Sequence, residues 1–393
     1  MEGDTSARSS RAKGQVVPDE QRPTKSDLLY SDTKIADKTG RVSPHMLPHA
    51  FLPVNGKGGE DLAGPYEPVE GWPETIEPGW RLSGPSAAHV FSPDRVMVVT
   101  HFGRVRDRLT PLVWGRNLFS MEGSPYRTYG TLEGKHVDHV TTYDRQGKLI
   151  DSWTWNDHLF GKINRVFVDP GDPEQHVWIA DSKRQKLFKF SNDGKRLVQS
   201  IGEVEAGSTP EFPWKAQDIV WLPNGDFYAA GLSRIDRFTK DGELVWSLMR
   251  RGHGPGEFQD IHGLCHDTAR HRFYVSDRGN ARIQVFDEEW NFLDEWPNIL
   301  APYAMRLEKD GHVWVGDGLT SKFLKYDPDG RLVTSWGQWG IAPGATWGVH
   351  WFDTDSEGNL YVCEVYGERI QKFRPRRDVP RDDPRLIGQL QRY

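Results

Sequence analysis

The sequence predicts an all-β fold, a six-bladed β-propeller with an extended N-terminal arm. Two observations carry that prediction. First, a segment recurs about every 40 to 55 residues, a period typical of propeller blades. Residues 176–202 (HVWIADSKRQKLFKFSNDGKRLVQSIG), 271–296 (HRFYVSDRGNARIQVFDEEWNFLDEW) and 311–337 (GHVWVGDGLTSKFLKYDPDGRLVTSWG) share one layout. An apolar run ends in Asp, a polar turn follows, and a second run ends in an aromatic. A further turn then leads into a third run closing on Trp or Ile. Second, the 393 residues include 16 Trp, 40 Gly and 26 Pro, which suits many strands joined by many turns.

The elements follow in chain order. Residues 1–40 are polar and poor in large apolar side chains, and read as a disordered or loosely packed segment. Residues 41–85 are rich in proline and read as an arm packed on the propeller. Six units then span 86–375. Unit one runs from about Ser86 to Trp153, unit two from about Lys162 to Gly202, and unit three from about Ala216 to Met249. Unit four runs from about Asp260 to Trp296, unit five from about Pro302 to Gly337, and unit six from near Trp347. The triplets at Asp193, Asp241 and Asp329 (DGK, DGE, DGR) are hairpin turns. An insertion at 104–136 is too long for a hairpin loop and reads as a lid over one end of the channel. The tail 376–393 contains RLIGQL, a candidate last outer strand.

Composition narrows the function. The net charge of −6 argues against a nucleic-acid partner. No run is long and apolar enough for a transmembrane helix, and the first residues lack the apolar stretch of a secretory signal. The expectation is a cytoplasmic protein acting on a small molecule, in an oligomeric state the sequence leaves open. Cys265 and Cys363 lie in apolar runs and read as buried free thiols rather than a disulfide or a zinc pair.

A propeller brings equivalent positions of every unit to one channel. Aligning the inner strands on the turns that follow them gives a first ring: Ala88, Asn164, Asp218, His262, Ala304 and His350. The ends of the next strands give a second: His101, Asp181, Gly231, Asp277, Asp317 and Glu364. The recurring aspartates of the second ring suit a structural role. The first ring differs from unit to unit, as a specialised site does. Imidazole and carboxylate together suit a divalent metal, with His262, His350, Asp218, Asn164 and Glu364 as candidate ligands. Arg278, Arg104 and Arg165 stand beside ring positions, where a guanidinium can hold a substrate carboxylate. With His101 they are the candidate catalytic residues. Trp114, Trp214, Tyr303, Trp347 and Tyr366 are candidates for an apolar substrate pocket. His266, His271 and His312 sit at turns and are expected in solvent.

The repeats resemble NHL propellers, and over about 85–375 they resemble the catalytic core of the peptidyl-hydroxyglycine amidating lyases. The likeness is strongest in GPGEFQDIHGLCHDTARHRFYVSDRGNARIQVFD and GVHWFDTDSEGNLYVCEVYGERIQKF. It implies a zinc-binding role for His262 and His350 and a functional role for Arg278. Three positions depart from that pattern. Asn164 stands where the family has its first zinc histidine. The stretch AAGLSRIDRF lacks the family's tyrosine, and Phe102 replaces an arginine. Three readings follow. One is a metal-dependent lyase or hydrolase, zinc being the expected ion. The second is a non-catalytic propeller that binds a peptide or protein. The third is a lactonase-type hydrolase holding calcium through Asn164, Asp218 and Glu364.

Overall fold

The computed structural model describes residues 63–74, 80–106, 138–202, 207, 209, 213–297 and 299–391. The insertion and its Trp114 lie mostly outside them, as does the segment before residue 63. Two short strands come first, β1 (Tyr66–Pro68) and β2 (Trp80–Leu82). Blade one is β3 (Pro85–Ser92), β4 (Arg95–Thr100), β6 (Val140–Tyr143) and β7 (Leu149–Ser152), with β5 (Arg104–Arg106) paired to β2. Blade two is β8 (Ile163–Val168), β9 (Val177–Asp181), β10 (Lys186–Phe190) and β11 (Leu197–Gly202). Blade three is β12 (Asp218–Trp221), β13 (Phe227–Gly231), β14 (Arg234–Phe238) and β15 (Leu244–Met249). Blade four is β16 (Ile261–Asp267), β17 (Arg272–Asp277), β18 (Arg282–Asp287) and β19 (Phe292–Trp296). Blade five is β20 (Pro302–Leu307), β21 (Val313–Asp317), β22 (Lys322–Tyr326) and β23 (Leu332–Trp336). Blade six is β24 (Val349–Thr354), β25 (Leu360–Glu364) and β26 (Arg369–Pro375), completed by β1.

The arm therefore closes the ring. Its β1 pairs antiparallel with β26, Tyr66 opposite Pro375. Trp72 then packs on Tyr361 of blade six at 4.9 Å and donates its indole N–H to Asp144 of blade one. The tail is not the last outer strand that the sequence suggested. Its backbone crosses blade five instead. Lys309 donates to the Gln389 carbonyl and Gln391 to the Leu307 carbonyl. An outer strand supplied by residues before blade one ties the two ends of the propeller together, so β26 is not an open edge.

Between blades the core is aromatic. Tyr228 of blade three meets Phe273 of blade four at 5.2 Å, and Phe323 of blade five meets Phe352 of blade six at 5.4 Å. Burying each such ring contributes roughly 1.5–3 kcal/mol, the largest local term holding blade to blade. Trp214 belongs to this core, not to a pocket. It is 1% exposed and its indole N–H bonds Asp236 at 2.9 Å. Cys265 and Cys363 are buried and in no disulfide. His266 is also inside, stacked on Phe273 at 4.3 Å, against the expectation of solvent.

Each inner strand begins with an extra residue. In blade four Ile261 pairs with Asp277 and Gly263 with Ser276, which leaves His262 as a bulge. The same irregularity sets apart Ser86, Asn164, Tyr303 and His350. In blade three Gln217 donates to the Ala230 carbonyl that faces Asp218, and so takes the equivalent place. A bulge re-aims its side chain out of the sheet, here toward the channel mouth.

Candidate functional site

The inner ring is thus Ser86, Asn164, Gln217, His262, Tyr303 and His350. Ala88, Asp218 and Ala304, expected there, sit one or two residues further along their strands. Every ring side chain bonds onto the next blade. Ser86 Oγ donates to the Ile163 carbonyl at 2.8 Å, and Asn164 Nδ2 to Gln217 Oε1 at 2.9 Å. Gln217 Nε2 donates to Asp260 at 3.0 Å, and His262 Nδ1 reaches the Tyr303 carbonyl at 2.8 Å. The Tyr303 and Tyr366 hydroxyls are 2.8 Å apart, and His350 Nδ1 reaches the Ser86 carbonyl at 2.7 Å. A polar belt runs once round the mouth.

The second ring is Thr100, Asp181, Gly231, Asp277, Asp317 and Glu364. Thr100, not His101, is the blade-one member, because Thr100 pairs with Pro85 as Asp277 pairs with Ile261. Its hydroxyl accepts from Gly103 N–H at 2.8 Å. The carboxylates serve the same structural purpose. Asp181 accepts four backbone N–H groups, from Gly161, Lys162, Lys183 and Arg184. Glu364, a candidate ligand, is instead bound by Trp347 N–H, Arg369 and Gln371. Burial lifts its carboxyl to about 7.

His101 lies one step beyond that ring, level with Arg278. There it meets the two bulge histidines. The His101 and His350 rings are 5.1 Å apart, and those of His262 and His350 are 4.8 Å apart. All three are 2% exposed. Burial and the nearby cations hold their pKa values well below the usual histidine range, so each imidazole is neutral. A carbonyl can only accept, so Nδ1 carries the proton on His262 and His350, and Nε2 is left bare. That is how protein metal sites orient imidazole ligands.

Arg278 stands beside them. It pairs with Asp260, and its guanidinium lies 4.5 Å from the centre of the Tyr303 ring. Tyr366, Trp347 and Trp339 continue the aromatic surface outward, with centroids 6.3 Å and 6.0 Å apart. Lys162, which the sequence reading passed over, is half-buried at this mouth. Burial, together with the like charge of Arg278, brings its amine down to about 8.

Several expected site residues are elsewhere. Asn164 has both amide atoms engaged, its oxygen accepting from Ser182 Oγ at 2.9 Å. Asp218 accepts the Leu264 and Ile219 N–H groups, and burial lifts its carboxyl to about 6. Arg104 is paired with Asp138 at the edge of blade one. Arg165 is 0% exposed and so cannot touch a substrate. With Asn164 and Glu364 spent on structural bonds, the oxygen set expected for calcium is not assembled. Among the described residues, one group of three His, Cys, Asp or Glu brings its ligand atoms within 4.8 Å: Glu308, Asp310 and His312. Its Glu308 already binds Lys325 at 2.7 Å and the Trp314 indole at 2.9 Å.

Residues 258–286 match the NHL repeat. The chain is a six-bladed β-propeller carrying that repeat. Two similar proteins are NHL repeat-containing protein 3 of Mus musculus and of Homo sapiens, each 27% identical. The matches cover 63% and 62% of this chain, and 76% and 74% of those proteins. A solved protein of unknown function from Bacteroides thetaiotaomicron has a TM-score of 0.51 at 14% identity. It covers 75% of this chain and 70% of that one. Such a likeness speaks to the fold, and a fold does not define an activity.

Proposed function

We propose that the protein is a metal-dependent lyase or hydrolase acting on a small molecule at the histidine mouth. One observation carries the reading. Three buried, neutral imidazoles from blades one, four and six meet there, two of them with Nδ1 locked on a backbone carbonyl. The donor types suit a zinc-class ion: three neutral imidazoles, two with a fixed tautomer and a bare Nε2, although the three rings' nitrogens do not all lie within 4.8 Å of one another as they stand. His262 and His350 would hold it, with the His101 ring turning in to join them. Asn164 leaves the first zinc position of the amidating lyases empty, and His101 offers a nitrogen from another blade. A bound ion would polarise a substrate oxygen. The residues around it do the rest. Arg278, fixed by Asp260, stabilises negative charge as it develops. Tyr303, Tyr366 and Trp347 face the bound molecule and exclude water. The nearby cations oppose a dication, but they also keep the imidazoles free of protons.

Elemental analysis of the purified protein tests this. Stoichiometric metal is expected, and His262→Ala or His350→Ala should lose it. Protein without bound metal, or variants with the wild-type content, would overturn the assignment. The belt bonds favour a second reading, in which both histidines only join blades and the propeller binds a peptide or protein. In that case chelators leave binding unchanged.

A further inference from the structure

Arg165 follows the bulge of blade two and is wholly buried. Its guanidinium reaches four other blades. Nε donates to the Gln217 carbonyl at 3.2 Å. One terminal nitrogen donates to the His262 carbonyl at 2.8 Å and the Tyr303 carbonyl at 3.3 Å. The plane lies over Trp351 of blade six, 3.9 Å from the ring centre. The Tyr303 carbonyl therefore takes two donors, the Arg165 nitrogen and His262 Nδ1. A carbonyl oxygen has two lone pairs, and both are used.

We propose that Arg165 is a positioning residue of the histidine mouth, fixing the orientation and tautomer of the His262 imidazole through the Tyr303 carbonyl they share. The claim rests on the proposed metal site for its purpose, not for its geometry. Arg165 holds the two peptide groups on either side of the imidazole bond, one on His262 and one on Tyr303. The ring can flip only if that carbonyl moves. Arg165 cannot accept a hydrogen bond, so its 3.3 Å approach to Nδ1 offers the ring no alternative partner as long as Nδ1 is protonated. Lysine cannot replace it. One ammonium cannot reach three carbonyls and lie flat on an indole. His350 is the built-in control for the tautomer, because its Nδ1 is anchored on Ser86 with no bond to Arg165, while the Arg165 charge acts on the pKa of both rings.

The test uses full-length protein with 15N-labelled histidine, read by NMR without added metal, and zinc affinity measured by competition with a chromophoric chelator. In the wild type, His262 should show the tautomer protonated at Nδ1. Arg165→Met, read at a pH where both rings are neutral, should convert His262 to a mixture while His350 keeps its Nδ1 tautomer, and should weaken zinc binding tenfold or more. Arg165→Lys should not restore either signal. If Arg165→Met fails to fold, Trp351→Leu, which loosens the guanidinium, should shift His262 alone in the same direction. A His262 tautomer unchanged in the variant that folds, or His262 and His350 losing the Nδ1 tautomer together, would overturn the proposal. A selective His262 shift in a protein that binds no zinc would sustain the positioning role and refute the metal reading.

Discussion

Glu364 takes the ring place that three other blades give to aspartate, and its burial makes a measurable prediction. The side chain is fully enclosed, and its carboxyl stands at about 7 against an ordinary 4.5. Burial is the main cause; Arg369, Gln371 and the Trp347 N–H pull the other way. The folded state then binds a proton between roughly pH 4.5 and 7 that the unfolded chain has released. Stability therefore falls as pH rises through that window. A displacement of this size is worth on the order of 3 kcal/mol across it. Glu364→Gln keeps the shape and removes the proton. Urea unfolding of both proteins at pH 5 and pH 8 isolates the effect, because the histidines titrate alike in each and cancel. The wild type should lose about 3 kcal/mol relative to Glu364→Gln between the two conditions. Parallel curves, or a gap that widens in the opposite sense, would mean that Glu364 is ionised throughout and that its partners outweigh burial.

Two further predictions concern backbone and closure. Gly194 has φ +70°, and an added Cβ would lie 2.2 Å from Trp153, whereas Gly71, at φ +76°, has open space. Gly194→Ala should cost about 2 kcal/mol or more than Gly71→Ala, which should cost about 1 kcal/mol, both read from urea midpoints. Tyr66 accepts the Ile387 N–H at 2.9 Å inside the closure. Tyr66→Phe strands that donor and should cost about 1–3 kcal/mol, with the m value unchanged.

The blades were legible because each repeats the same apolar runs and turns, and that periodicity is what the sheets use. The closing strand was not. β1 is Tyr-Glu-Pro, a three-residue piece with no alternation, and it becomes a strand only because β26 offers it an edge. The tail RLIGQL has better strand composition, but the sequence does not say which edge is open.

The site was half legible, and the reason is geometric. The sequence alignment counted from the turn after each inner strand, yet the ring is set at the opposite end, by a bulge. Strand β3 has a second irregularity between Val90 and Ser92 and runs further into its hairpin, so counting from its turn reaches Ala88 instead of Ser86. Counting back from the next strand is steadier. Tyr303 lies fourteen residues before Asp317, as His350 does before Glu364, Gln217 before Gly231 and Ser86 before Thr100. Blade two breaks the interval because its hairpin turn, 169–176, is longer, and blade four because its hairpin strands run one pair further, Asp267 opposite Arg272. The two histidines survived the miscount because blades four and six happen to be in phase with it. Tyr303 and Gln217 did not, although both complete the belt. His101 was placed in the wrong ring but at the right mouth. The ring position there is Thr100, a hydroxyl doing what a carboxylate does elsewhere, and the following residue faces the other imidazoles, as Arg278 faces them after Asp277.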